Sequence, residues 1–166
     1  MLTRWATPHS FFFGIVNPPL QRGIDVIPEI DTPGHTSVIS ISFPEHIACP
    51  EASPWALYAN EPPAGQLRVA SPDTVNFITG LLTNVANIFC GKYFSTGGDE
   101  INTKCYADDS QTQQALSASG KSLAQALDAF VQAEHKALES VGKTAVVWEE
   151  LVLTYPVTLA KDTIVM

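Results

Sequence analysis

The chain has 166 residues, 45% of them apolar, and a formal charge of −8 at pH 7. That length suits one domain with a real hydrophobic core, and the apolar fraction excludes an intrinsically disordered chain. No Lys/Arg cluster interrupts the acidic balance, which argues against a nucleic-acid surface or an anionic-membrane patch and favours a neutral or cationic small ligand. No apolar run approaches the roughly 20 residues of a membrane-spanning helix.

The opening MLTRWATPHSFFFGIVNPPL carries an apolar stretch, Phe11 to Val16, shorter than the roughly 7 to 15 residues of a secretory signal core. Gly23 to Asp31, GIDVIPEID, is a short apolar run ending in acids. It predicts a buried strand, followed by a loop through Thr32-Pro33-Gly34-His35. Residues 42–70, rich in Pro, Ala and Glu, show no periodicity, and so long an irregular segment in a compact domain is often functional. Ser71 and Pro72 then suit the cap and first position of a helix, whose face is marked by Val75, Ile78, Leu82, Val85 and Phe89. Tyr93 to Thr96 predicts a second strand. Ser122 and Gln125 form a capping-box pattern ahead of a helix faced by Leu123, Leu127, Phe130, Val131, Leu138 and Val141, with Gly142 as its stop. Thr144 to Trp148 predicts a third strand and Thr163 to Met166 a fourth.

Apolar strands alternating with amphipathic helices indicate an α/β fold with a parallel sheet, whose ligands bind at the C-terminal strand ends. Three of those ends are polar: Asp31 to His35, Asp99-Glu100, and Trp148 to Glu150. Adjacent residues of a regular strand face opposite ways, so Asp99 and Glu100 cannot share a task unless the backbone turns. Gly97-Gly98 in YFSTGGDEIN permits that turn, because glycine tolerates positive φ and close approach. One acid is then free to donate a proton while the other stays ionised.

Other readings stand beside this one. Asp99 is also a plausible helix N-cap with Glu100 in the first turn. Trp148 suits either a sugar-stacking wall or core packing. His35 suits a hydrogen-bonded loop position, and Glu29 a buried strand-end acid with a structural hydrogen bond. Asp31, His35, Asp99 and Glu100 are residue types able to ligate a divalent metal, although no close-spaced ligand motif joins them. Cys49, Cys90 and Cys105 are odd in number and define no disulfide framework.

Together, RGIDVIPEIDTPGHTSVIS (Arg22 to Ser40), CPEASPWALYANEPPAGQLR (Cys49 to Arg68), YFSTGGDEIN (Tyr93 to Asn102) and VVWEELVLT (Val146 to Thr154) resemble glycoside hydrolase family 20, the β-N-acetylhexosaminidases, in its fungal branch. The resemblance runs from about Arg22 to the C-terminus. It implies a TIM (β/α)8 barrel, here an incomplete fragment covering roughly strands 3 to 6, with residues 1–21 as an atypical N-terminal segment and 22–166 as a partial catalytic domain. It also implies hydrolysis of terminal non-reducing N-acetyl-D-hexosamine by retaining, substrate-assisted catalysis, in which the sugar's own 2-acetamido oxygen forms an oxazolinium intermediate.

By the same resemblance Glu100 is the general acid and then base, and Asp99 holds the acetamido N–H. His35 supports the acid and Trp148 walls the acetamido pocket, with Asp31 and Glu150 as further substrate-binding rim acids. Cys49 and Cys105 would pair, leaving Cys90 free, which implies an extracellular or secretory/vacuolar setting. No cofactor or metal is implied. The expected partners are oligosaccharides ending in N-acetylglucosamine or N-acetylgalactosamine, from chitin turnover or glycan trimming, with no nucleic acid or membrane, and a homodimer is a further expectation. Family strands bearing an arginine for the sugar hydroxyls, an aspartate partner for the histidine and an acetamido-binding tyrosine have no counterpart in the text. The alternative expectation is therefore a truncated, inactive remnant acting at most as a sugar-binding or interaction module.

Overall fold

The computed structural model describes Pro19 and residues 21–166, so the segment expected over 1–21 lies almost wholly outside the described residues. A parallel sheet orders the rest. Strand β3 (Tyr93–Gly97) lies beside β4 (Thr144–Val147), and β4 beside β5 (Ile164–Val165), following the short antiparallel ladder of β1 (Ile47–Ala48) and β2 (Gln66–Leu67). Phe94 faces Ala145, Val146 faces Ile164, and the β3–β4 register slips between Ser95 and Gly97, where the strand begins to turn.

On the free side of β3 runs the Pro28–Thr32 segment. Ser95 N–H donates to Pro28, Ile30 N–H to Ser95 and Thr32 N–H to Thr96, at 2.9, 3.1 and 2.9 Å. Only Glu29 forms a bridge, with Ser95. The expected buried strand over 23–31 is thus corrected. Pairing with the five-residue β3 starts at Pro28, and Ile24 and Ile27 are 55% and 43% exposed because no described strand covers them. Glu29 is exposed too, yet it keeps a structural bond, accepting from Ser95 Oγ at 2.5 Å.

Two helices cover the sheet. Helix α1 (Pro72–Ala86) begins where Ser71 accepts from Thr74 N–H, and it buries Ile78, Leu82 and Ala86. Helix α4 (Leu123–Ser140) carries the complete Ser122/Gln125 capping box and buries Leu127, Phe130, Val131 and Leu138. The two helices pack on each other, and each fully buried Leu, Ile or Phe contributes about 1.5–3 kcal/mol. The sequence pattern missed α2 (Thr103–Asp108) and α3 (Ser110–Ser119), which are polar and end to end, and of α3 only Thr112 is buried. Their junction depends on Asp109, whose side chain accepts from Thr112 N–H at 2.8 Å. A four-residue helix, α5 (Glu150–Leu153), follows β4.

Residues 42–70 lack long elements, as their composition predicts, but they are not loose. Ile47, Ala48, Leu67 and Val69 belong to the core, and a disulfide from Cys49 to Cys105 ties the segment to α2. Cys90 is free and exposed.

Candidate active site

The chain reverses after β3 because Gly97, Gly98 and Glu100 adopt φ of 66°, 107° and 54°. A side chain at Gly97 would collide with the Asp31 carboxylate, and one at Gly98 with Leu151. Glycine is therefore required twice over, by φ and by space. Glu100 has no such exemption, and a left-handed non-glycine residue stores strain that surrounding contacts must hold. The turn does not serve as a helix cap at Asp99. Asn102 caps α2, accepting from Cys105 N–H at 2.9 Å.

Opposite the turn, the Thr32-Pro33-Gly34-His35 loop presents His35, itself at φ 54°. His35 Nε2 lies 3.2 Å from Glu100 Oε2, 3.8 Å from Asp31 Oδ2 and 4.0 Å from Asp99 Oδ2. Asp31 Oδ1 accepts from Gly98 N–H at 2.9 Å, fastening the two loops together. Asp99 Oδ1 is a buried atom with no hydrogen-bond partner among the described residues, and buried Glu100 Oε2 has only the His35 ring beside it, in an ion-pair contact that makes no well-aligned hydrogen bond. Buried acceptors of that kind are rare and mark places where a ligand's donors fit.

Burial lifts the Asp31 carboxyl to about 8, against the pull of the Gly98 N–H, and hydrogen bonding and charge from Asp99, then the charge of Glu29, add to the rise. Behind it stands a residue that the sequence pattern missed. Glu134 of α4 is fully buried, and burial together with the Asp31 charge pushes it well above the usual carboxylate range, against a hydrogen bond with Thr32. The signal was available, since Glu134 falls on the apolar stripe between Phe130 and Leu138. Next to it His135 reaches Thr96 Oγ1 at 3.4 Å, and burial lowers its pKa to about 4.

The native state keeps the Asp31 proton up to about pH 8, whereas an unfolded Asp loses it near 3.8. Unfolding therefore releases this proton throughout that window, and stability falls as pH rises across it. Glu134 acts in the same direction. Asp31→Asn preserves the acceptor for Gly98 N–H, so its urea-denaturation midpoint should decline less between pH 5 and 8 than that of the parent. Parallel declines would refute the assignment.

The structure thus brings Asp31, His35, Asp99 and Glu100 together. Asp31, His35 and Asp99 offer ligand atoms within 4.8 Å of one another, so a metal-holding arrangement is geometrically available. Trp148 is half-buried just past β4, and its backbone N–H donates to the Gly97 carbonyl at 2.9 Å. Glu150 opens α5, where its charge raises the pKa of Tyr155, already pushed up by burial. Tyr155 in turn donates to the Ile101 carbonyl at 2.8 Å, next to the acid pair.

The sequence model of the glycosyl hydrolase family 20 catalytic domain matches residues 9–166. The chain belongs to this family. A beta-hexosaminidase of Arthroderma benhamiae is 36% identical over 142 residues, covering 84% of this chain and 23% of that protein. Beta-hexosaminidase subunit A1 of Dictyostelium discoideum is 35% identical over 144 residues, 86% of this chain and 26% of that protein. This family 20 chain spans about a quarter of the length of the curated relatives it matches. Among solved structures, a chitobiase of Flavobacterium johnsoniae superposes with a TM-score of 0.75 at 28% identity, over 95% of this chain and 23% of that one. Family 20 catalytic domains of this kind are TIM barrels.

Proposed function

We propose that residues 22–166 form part of a family 20 barrel, roughly strands 3 to 6. We further propose that its chemistry is hydrolysis of terminal N-acetyl-D-hexosamine from β-N-acetylhexosaminides with retention of configuration. Four parallel segments in chain order support the first statement: Pro28–Thr32, β3, β4 and β5. One observation carries the second. A glycine-enabled turn brings Asp99 and Glu100 together at His35, with Glu100 Oε2 3.2 Å from His35 Nε2 and Asp99 Oδ1 buried with no hydrogen-bond partner among the described residues.

In this reading the substrate's acetamido oxygen attacks the anomeric carbon as the bond to the leaving oxygen breaks, and Glu100 gives that oxygen its proton. Water then attacks, returns a proton to Glu100 and releases the acetamido oxygen. Asp99 accepts the acetamido N–H and stabilises the positive charge developing on the intermediate. His35, 3.2 Å from Glu100, orients it, and Trp148 walls the acetamido pocket. Asp31 and Glu150 are the further rim acids. The Cys49–Cys105 disulfide favours an oxidising setting, extracellular or secretory.

The test is release of p-nitrophenol from p-nitrophenyl N-acetyl-β-glucosaminide and its galacto epimer by the purified chain, with an added chelator as a control on the metal arrangement. Release above a Glu100→Gln control, unchanged by chelator, is the expected result. No release, with no calorimetric binding of N-acetylglucosamine-thiazoline, would leave the inactive-remnant alternative.

A further inference from the structure

The acid turn is held on both flanks, with the Trp148 backbone N–H on the Gly97 carbonyl and Tyr155 Oη on the Ile101 carbonyl among its bonds. Upstream, Asp31 accepts from Gly98 N–H. Downstream, beyond the Tyr155 bond to Ile101, a two-point tether comes from Gln66, a buried residue of β2 only 3% exposed. Its side-chain amide uses both ends on the backbone of Asn102, two residues beyond Glu100. Nε2 donates to the Asn102 carbonyl at 2.7 Å, and Oε1 accepts from Asn102 N–H at 3.0 Å. This is the paired donor–acceptor pattern that a neighbouring strand would supply, delivered by one side chain.

The same short strand also holds the histidine loop. Leu67 N–H donates to the Pro33 carbonyl at 2.9 Å. Gly65 sits so close to Ser37 that an added Cβ would lie 2.9 Å from its Cα. Residues 65–67 therefore grip the His35 loop through backbone and the Glu100 turn through the Gln66 side chain.

We propose that Gln66 is a positioning residue that sets Glu100 against His35 by way of Asn102. It touches no reacting atom. Glu100 sits in a left-handed conformation that relaxes unless both flanks are fixed, and a displacement near 1 Å at a reacting group costs about 10²-fold in rate.

The proposal rests on the hydrolase reading, so its test has two arms. In the kinetic arm, Gln66→Leu keeps the bulk and removes both bonds. It should lower kcat by about 10²-fold with KM changed less than about threefold, because the lost geometry matters when the proton moves. Gln66→Glu places an ionised oxygen against the Asn102 carbonyl at neutral pH. On acidification the protonated carboxyl again offers one donor and one acceptor, so kcat relative to the parent should recover for this variant and not for Gln66→Leu. An unchanged kcat in Gln66→Leu, or a rise in KM alone, would overturn the assignment.

In the second arm, amide hydrogen exchange is read at Asn102 and Glu100 in the parent and both variants. Faster exchange at those amides in Gln66→Leu, with the amides of α4 unchanged, is expected whether or not the chain turns over substrate. Equal protection would overturn the tether, whereas absence of hydrolysis by the parent would overturn only the hydrolase reading.

Discussion

Glu100→Gln should lower hydrolysis of an N-acetylglucosamine disaccharide by about 10³- to 10⁴-fold, at the upper end of what general acid–base catalysis contributes. With the p-nitrophenyl glycoside the loss should be nearer about 10²-fold, because p-nitrophenolate departs with little help from an acid. The ratio between the two substrates identifies a proton donor better than either rate alone. A residue needed only for folding would depress both equally. The substitution is nearly isosteric, so the left-handed backbone at φ 54° has no new shape to accommodate. Asp99→Asn should behave differently. It keeps an acceptor for the acetamido N–H but removes the charge that steadies the cationic intermediate, so its loss should be similar for good and poor leaving groups. The measurements are kcat/KM for both substrates across a pH series, because kcat/KM reports the leaving-group step and not the water attack that both substrates share. Equal losses in kcat/KM for Glu100→Gln on the two would refute its role as acid.

What was legible in the text divides by physical cause. Helices α1 and α4 were legible because caps and apolar periodicity are local signals, and Ser71, Ser122 and Gln125 act as their spacing predicts. The turn over the rim was legible for a similar reason, since two glycines before two acids have few other uses. Helices α2 and α3 were not, because α2 is only six residues long, too short for a periodic stripe although it buries Cys105 and Tyr106, and α3 buries only Thr112. The roles of Gln66 and Glu134 were hidden for another reason, although the place of Glu134 on an apolar stripe was visible. Their importance lies in partners 36 and more than 100 residues away, Asn102 and Thr32, and a single sequence does not print pairings across such distances. The buried start expected for Gly23–Asp31 failed because burial depends on a neighbouring strand, not on the run's own apolarity.

The second large effect concerns stability behind the site. Arg68 directly follows the Gln66–Leu67 strand, and its side chain and Asp109's are each 9% exposed. Its Nε and Nη2 donate to the two oxygens of Asp109 at 3.0 and 2.9 Å, and Nη1 donates to the Glu45 carbonyl at 2.8 Å. Burial alone would raise the Asp109 pKa, but hydrogen bonds from Arg68 and Thr112 and the Arg68 charge outweigh it and hold the carboxyl below its ordinary 3.8. Arg68→Ala removes the partner and leaves a buried carboxylate, which should cost about 3–5 kcal/mol, a large share of the roughly 5–15 kcal/mol that holds a domain folded. Arg68→Lys should recover little, because an ammonium does not reproduce the planar two-point fork. Arg68→Met combined with Asp109→Asn removes both charges but keeps an oxygen to cap α3, so it should be more stable than Arg68→Ala alone. The sign of the pH effect follows from the lowered pKa. The pair's contribution is fully present above about pH 4 and is lost as pH falls through the lower folded value, when Asp109 takes a proton. Urea denaturation of the parent, the single variants and the double variant at pH 7 and pH 3 tests this, with the gap between parent and Arg68→Ala narrowing in acid. A gap that stays constant would show that Arg68 stabilises through its carbonyl contacts and packing, not through the charge of Asp109.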